Sequence, residues 1–454
     1  MLLQSINPYT GELIEAFNSF SDEHVDRVLD RAESGRQIWQ QFSHLERTAY
    51  FKALAVQLRH DAHRLALFIV AEMGKPITEA LAEIEKCAWA CEYYAEHGER
   101  MLAPQLLESD ARRSYVVFNP LGTVLAIMPW NFPFWQFFRC ALAAMLVGNT
   151  VVLKHAANVS KCALAIERVC EDAGLPAGVV STLLLESSRV GRVIADSRVH
   201  AVSMTGSEQA GRAVAEAAGR HLKKCVLELG GSDPFVVLAD ADVDAAADVA
   251  VMSRFSNCGQ SCIAAKRMIV VKDVAADFVD ALIARIENLN TGDPCLEKTS
   301  IGPMAREDLR LRLQQQVRRT LDSGALSLCG NELPAGKGFF YPPSVVDNVR
   351  PGMVAFEEEV FGPLAVICRV KDVYEAKTWA NASRYGLGVS VWTKDLALGE
   401  QLIAEINAGA GFVNGLVKSD PRLPFGGVKA SGYGRELSFF GLYEFANIKT
   451  MWLA

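Results

Sequence analysis

From residue 121 onward the chain alternates apolar runs of strand length with apolar-periodic runs of helix length, and no other feature restricts its fold as tightly. Residues 124–128, 150–153, 179–184 and 201–204 are predicted strands; residues 134–147 and 162–173 are predicted helices, the second closed by Gly174-Leu175-Pro176. Strands separated by helices cannot pair as tight hairpins. They lie parallel in one sheet, with the crossover helices on its two faces. A second series follows Glu228, with strands predicted over 235–238, 268–271, 364–370 and 389–392 and helices over 243–255, 278–289 and 373–382. The pattern gives an α/β, doubly wound architecture with a division near residue 228.

Before this region, Asn7-Pro8-Tyr9-Thr10-Gly11-Glu12 reads as a turn and Ser21 as a helix cap, and helices are predicted over 45–73 and 78–97. Residues 115–118 form an isolated strand candidate, stopped by Asn119-Pro120. The tail, 447–452, reads as an edge strand that pairs either with 115–118 or with another subunit.

Composition excludes several classes. A chain of 454 residues, half of them hydrophobic, is too long for one core and has ample material for two or three domains. The formal net charge is −7 and no basic run exists, so nucleic acid is not an expected partner. The N-terminal residues lack the pattern of a secretory signal. The most apolar stretch, 121–153, is interrupted by Pro129, Asn131, Pro133, Gln136 and Arg139, which argues against a membrane helix. The eleven cysteines are scattered, and Cys258 and Cys262 have no second pair or histidine cluster to complete a metal site. A reducing cytoplasm fits this usage.

Chemistry enters with Asn257-Cys258-Gly259-Gln260-Ser261-Cys262, preceded by Glu228-Leu229-Gly230-Gly231. A thiolate is a strong nucleophile toward a carbonyl, and a carboxylate suits the activation of water, so Cys262 is read as nucleophile and Glu228 as general base. In Met128-Pro129-Trp130-Asn131-Phe132-Pro133, two prolines fix the backbone around Asn131, whose amide suits an oxyanion donor; by itself the segment also reads as a loop with Asn131 as helix cap. Thr205-Gly206-Ser207-Glu208-Gln209-Ala210-Gly211 follows a strand and opens a helix, as a phosphate cradle does, although its Gly-x4-Gly spacing taken alone reads equally as a tight turn.

Together with Gly148-Asn149-Thr150-Val151-Val152-Leu153-Lys154, Glu359-Val360-Phe361-Gly362-Pro363 and Pro424-Phe425-Gly426-Gly427, these motifs resemble, in order and over essentially the whole chain, the NAD(P)-dependent aldehyde dehydrogenase superfamily. The resemblance implies a Rossmann-type cofactor domain (1–104 and 119–227), an α/β catalytic domain (228–418) and a small β oligomerisation hairpin and tail (105–118 and 437–454) that builds homodimers or homotetramers. It implies Cys262, Glu228 and Asn131 as catalytic residues. For the cofactor it implies Trp130, Gly206, Ser207 and Gly211 near the pyrophosphate, Lys154 at the adenosine ribose, Glu359 at the nicotinamide ribose and Phe361 beside its ring.

The wording is most similar to bacterial succinate-semialdehyde dehydrogenases, which implies oxidation of succinate semialdehyde to succinate; an uncharged medium-chain or aromatic aldehyde, with Trp135, Phe138 and Phe255 lining an apolar tunnel, is the alternative, and a catalytically silent cofactor-binding scaffold a third reading. In those enzymes an arginine at the position of Arg139 binds the far carboxylate, as a guanidinium fork can. A helix-end charge or a subunit ion pair is the other reading of Arg139. Ser256 stands where a second arginine is usual, so Arg254 and Arg422 are the substitutes considered. Ala157 replaces the acidic residue that repels a 2′-phosphate, and His155 and Lys161 stand beside it, so NAD is expected to work and NADP to be tolerated. Cys258 is either a loop filler or the partner of Cys262 in a redox switch.

Overall fold

In the computed structural model, which describes residues 2–454, the alternating runs form two largely parallel sheets. The first has the strand order Gly432–Tyr433, Lys224–Glu228, Val199–Thr205, Thr123–Met128, Thr150–His155 and Val180–Thr182; only Gly432–Tyr433 is antiparallel, with Gly432 opposite Glu228. The chain enters at Thr123–Met128, winds to one edge, then returns to Val199–Thr205 on the other side of its starting strand. Ligands of doubly wound sheets bind in the crevice at such a reversal, beyond the carboxyl ends of the strands. Here those ends deliver Trp130, Asn131, Thr205 and Gly206.

Helix Pro133–Val147 follows the asparagine loop and is buried at every position, as a helix apolar all round save Gln136 and Arg139 is expected to be. Helices His44–His60 and Ile77–Met101 cover its outer side. Arg47, itself buried, donates to the carbonyls of Leu146 and Val147, both at 3.2 Å, and so satisfies acceptors that the helix end leaves open. The helix predicted over 45–73 is two, His44–His60 and Ala62–Met73, separated by Asp61. The Asp61 carboxylate accepts from Gln57 on one side and Arg64 on the other, each at 2.9 Å, which competes with continuation of the helix.

The second sheet has the order Leu326–Cys329, Ser344–Asp347, Leu364–Val370, Ala265–Val271, Asp233–Val237, Gly388–Trp392 and Ala410–Val413, and only its first pair is antiparallel. Helices Glu307–Asp322 and Leu396–Glu405 and strands Leu326–Cys329, Ser344–Asp347 and Ala410–Val413 add to those predicted. Glu307–Asp322 escapes prediction because its buried stripe, Leu313, Gln314, Gln316, Val317 and Thr320, is mostly polar. Glu228 ends the last parallel strand of the first sheet and Asp233 opens the second, so Leu229-Gly230-Gly231-Ser232 joins them.

The tail strand, Ala446–Leu453, pairs antiparallel with Arg113–Pro120 from the same chain, from Ala446 opposite Pro120 to Leu453 opposite Arg113, and Gln105–Leu106 adds a third strand. Among the described residues no helix is long and apolar enough to cross a membrane.

Candidate active site

The nucleophile loop is built by a run of unusual backbone. Helix Val243–Phe255 ends and Asn257 (φ 54°), Cys258 (φ 54°) and Gly259 (φ 68°) all adopt left-handed conformations. Two non-glycine residues held there cost on the order of 1–3 kcal/mol each and persist only where surroundings over-determine them. The surroundings do so. Glu79 accepts from the Asn257 N–H at 2.7 Å, and the Asn257 amide donates to the Asn131 carbonyl at 2.8 Å. The Gln260 side chain donates to the Asn257 carbonyl and accepts from the Ala305 N–H. A Cβ on Gly259 would stand 2.4 Å from the Gly362 carbonyl oxygen, so only glycine fits.

Cys262 emerges from this loop where two cavities meet. One, of about 660 Å³, is lined by Trp130, Asn131, Gly206, Ser207, Glu359 and Phe361; the other, of about 400 Å³, includes Lys86, Trp135, Arg139, Ser419 and Phe425, and Cys262 and Gln136 belong to both. Burial pushes the Cys262 thiol up to about 11, against the opposing pull of Arg139 and Lys266. Asn131 Nδ2 donates one hydrogen to the Gln260 carbonyl at 3.0 Å, which fixes the amide and leaves its second hydrogen available. Glu228 is buried with neither carboxylate oxygen hydrogen-bonded, and a Cβ on Gly426 would lie 2.7 Å from Oε1. Burial holds this carboxyl well above the usual range, and Arg139 acts in the opposite sense.

The larger cavity is a cleft that fits a dinucleotide. Ser207 caps helix Glu208–Arg220 by accepting from the Ala210 N–H, so a helix N-terminus faces the cleft beside Gly206. Phe361 meets Trp130 edge-on at 5.8 Å. Glu359 crosses from the second sheet and accepts from the Gly231 N–H at 3.0 Å, and a Cβ on Gly230 would come within 2.3 Å of its Oε2, so this approach requires glycine. Gly211 faces Leu229 rather than the cleft, so its role is helix packing. Lys154, buried at the end of its strand, donates to Ser187 at 3.4 Å and stands outside the cleft's lining.

Lys266 and Glu436 are functional candidates that sequence reasoning missed. Lys266 Nζ donates to the carbonyls of Gly231 and Cys262, both at 2.8 Å, and pairs with Glu359 at 2.9 Å, tying the nucleophile loop to the cofactor side. Its place four residues after Cys262 was the available signal. Glu436 receives Arg139.

Arg139 lines the smaller cavity, but its Nε is ion-paired with Glu436, its ring-side face stacks on Phe425 at 4.4 Å, and its terminal nitrogen reaches Thr205 at 3.4 Å. Arg139 is 2% exposed and Glu436 1%. Breaking one half of so buried a pair strands the other charge, so Arg139→Met is expected to lower folding stability by about 3–5 kcal/mol, read from urea unfolding, and Glu436→Gln in that background to restore part of it. A wild-type unfolding curve for Arg139→Met would show the pair to be dispensable.

The other two arginines are not substrate residues. Arg254 is fully buried and spends its guanidinium on the carbonyls of Leu364, Gly259, Val360 and Gly362, bracing the loop from behind. Arg422 is exposed, holds Asp420 through two hydrogen bonds at 2.8 and 2.7 Å, and lies outside the cavity lining. Phe138 and Phe255 are core residues; Phe132 and Phe425, with Trp135, supply the aromatic wall. His155 is buried with both ring nitrogens bonded to backbone, at Pro133 and Ala156, so it is not free for a phosphate, and Lys161, partly exposed, pairs with Glu15 at 3.0 Å. Cys258 packs into the core of the second sheet while Cys262 packs against that of the first, and both are free thiols.

The sequence profile of the aldehyde dehydrogenase family matches residues 2–451. The chain belongs to the aldehyde dehydrogenase family. Among its curated relatives are the succinate semialdehyde dehydrogenase Sad of Escherichia coli, named for NAD(P)+, which is 46% identical over 99% of this chain and 97% of its own, and succinate-semialdehyde dehydrogenase 1 of Mycobacterium tuberculosis, named for NADP+, 44% identical over the full length of both. The crystal structure of succinic semialdehyde dehydrogenase from Streptococcus pyogenes in complex with NADP+ superposes with a TM-score of 0.97 at 36% identity, covering 99% of each chain. The two cavities of this aldehyde dehydrogenase share one thiol, that of Cys262.

Proposed function

We propose that this aldehyde dehydrogenase oxidises succinate semialdehyde to succinate, using NADP and accepting NAD. The observation that carries the reading is the smaller cavity: it shares Cys262 with the cofactor cleft and is lined by three cationic side chains, Lys86, Arg139 and the exposed Lys418, among aromatic ones. An aldehyde with a carboxylate at its far end matches both properties. The names of the relatives agree with it. For the cofactor, Ala157 is exposed and places no carboxylate against a 2′-phosphate, and Lys154 is the last residue but one of the adjoining strand.

Cys262 as thiolate adds to the aldehyde carbon, forming the C–S bond of a thiohemiacetal. The alkoxide oxygen is received by the second Nδ2 hydrogen of Asn131 and by the Cys262 N–H, which has no acceptor among the described residues. The bound dinucleotide supplies the hydride acceptor. The Cys262 thioester that results is hydrolysed by water, whose proton passes to the Glu228 carboxylate, and the released thiol completes the cycle. Lys266 holds Glu359 and the Cys262 carbonyl at one ammonium, which keeps the ribose grip in register with the sulfur. The exposed Ile448 and Trp452 of the tail strand and Leu106 beside it favour assembly with further copies of this chain.

The test is kcat/KM with NADP for succinate semialdehyde against butanal, which has the same chain length without the carboxylate. A preference of ~100-fold or more, worth roughly 3 kcal/mol, is expected. Equal rates, or a preference for butanal, would overturn the proposed substrate.

A further inference from the structure

Lys86 was not singled out by any sequence motif, yet it is the largely buried cation of the substrate cavity that lacks a counter-ion; Lys418, which also lines the cavity, is exposed. It projects from helix Ile77–Met101 with Nζ 4.3 Å over the Trp135 ring and donates one hydrogen bond, at 2.9 Å, to Ser419 Oγ. Among the described residues no carboxylate pairs with it. The acidic groups around it are engaged elsewhere: Glu83 by Lys75 and by the N–H groups of Phe134 and Trp135, Glu79 by the Asn257 N–H, Asp420 by Arg422. Arg139, the other buried cation of the cavity, is held by Glu436. Burial of the ammonium lowers its proton affinity to about 8, the response of a desolvated cation awaiting an anion. An ammonium carries three donors, so two remain after Ser419. The Ser419 hydroxyl already accepts from Lys86 and, at 3.0 Å, from the Trp135 indole, so its own hydrogen is left to donate.

We infer that Lys86 is the specificity-determining residue that binds the far carboxylate of the semialdehyde, with Ser419 as its co-donor and Arg139 as a buried supporting charge. This rests on the substrate proposed above. Trp135 sets the ammonium's position from below, and the Ser256 position, where an arginine would otherwise serve, faces the same cavity.

The experiment compares Lys86→Met and Lys86→Arg with the unmodified enzyme on succinate semialdehyde and butanal. Lys86→Met is expected to lose about 30-fold or more in kcat/KM for the semialdehyde, mostly in KM, while butanal turnover changes by less than about threefold; Lys86→Arg is expected to recover most of the loss. Butanal turnover reports that the variants fold. An equal loss on both aldehydes would assign Lys86 to packing, and an undiminished semialdehyde preference in Lys86→Met would place the carboxylate elsewhere; either overturns the inference while leaving the substrate intact. A wild-type enzyme without the preference would overturn both.

Discussion

Cys262→Ala is expected to reduce aldehyde oxidation by on the order of 10⁶-fold while leaving dinucleotide binding unchanged. The size of the effect follows from the architecture of the loop. Three successive left-handed residues, locked by Glu79, Asn131 and Gln260, exist to bring one sulfur to the junction of two cavities. No other cysteine lines either cavity, so none can replace it. The groups that would hold the dinucleotide, Trp130, Gly206, Glu359 and Phe361, do not depend on the thiol, so a fluorescence titration with NADPH should match that of the unmodified enzyme. Residual turnover above about one part in a thousand would show that oxidation does not require the covalent route.

Glu228→Gln is expected to separate the two halves of the reaction. Acylation should proceed, giving about one equivalent of reduced cofactor per subunit in a stopped-flow burst, after which steady-state turnover falls by about 10²–10⁴-fold because water has lost its base. The neutral amide is nearly isosteric and removes a buried carboxyl that has no hydrogen-bond partner, so stability should not decline. The unmodified enzyme should also show a pH signature. Burial raises the Glu228 carboxyl well above its usual range, and a protonated acid cannot accept a proton, so thioester hydrolysis should accelerate as pH rises through that titration. In Glu228→Gln the residual rate should lose this dependence on the group. Absence of the burst would mean that Glu228 is needed before the thioester forms.

The arginines show where reading a sequence for charge reaches its limit. Arg139, Arg254 and Arg422 are equivalent as letters, and each stands near a motif. In the folded chain they serve a buried pair, a set of backbone carbonyls and, from the surface, a buried aspartate two residues away. A side chain's availability depends on which partners surround it, and for Arg139 and Arg254 the deciding partners, Glu436, Leu364 and Gly362 among them, arrive from segments about a hundred residues or more away. Lys86 is the converse case. Nothing in Glu85-Lys86-Cys87 marks it out, and its importance arises because Trp135 and Ser419, from two other parts of the chain, place it in a cavity whose carboxylates, Glu79 and Glu83, are engaged by other partners.

By itself the sequence determined the alternation of strands and helices, the two-series organisation divided near Glu228, Cys262, Glu228 and Asn131 as the candidate reactive set, and the pairing options of the tail. These are properties of local periodicity and of short motifs, in which neighbours along the chain carry the information. Only the tertiary structure decided which pairing the tail adopts, that Lys266 links the nucleophile loop to Glu359, that Arg139 answers Glu436, and that Lys86 is left as a largely buried cation of the cavity without a counter-ion. Those outcomes depend on distances between groups far apart in sequence, and on the removal of water around them. Burial decides whether a charge must be neutralised by a partner or kept available for a ligand, and burial is fixed only when the sheets and helices close around it.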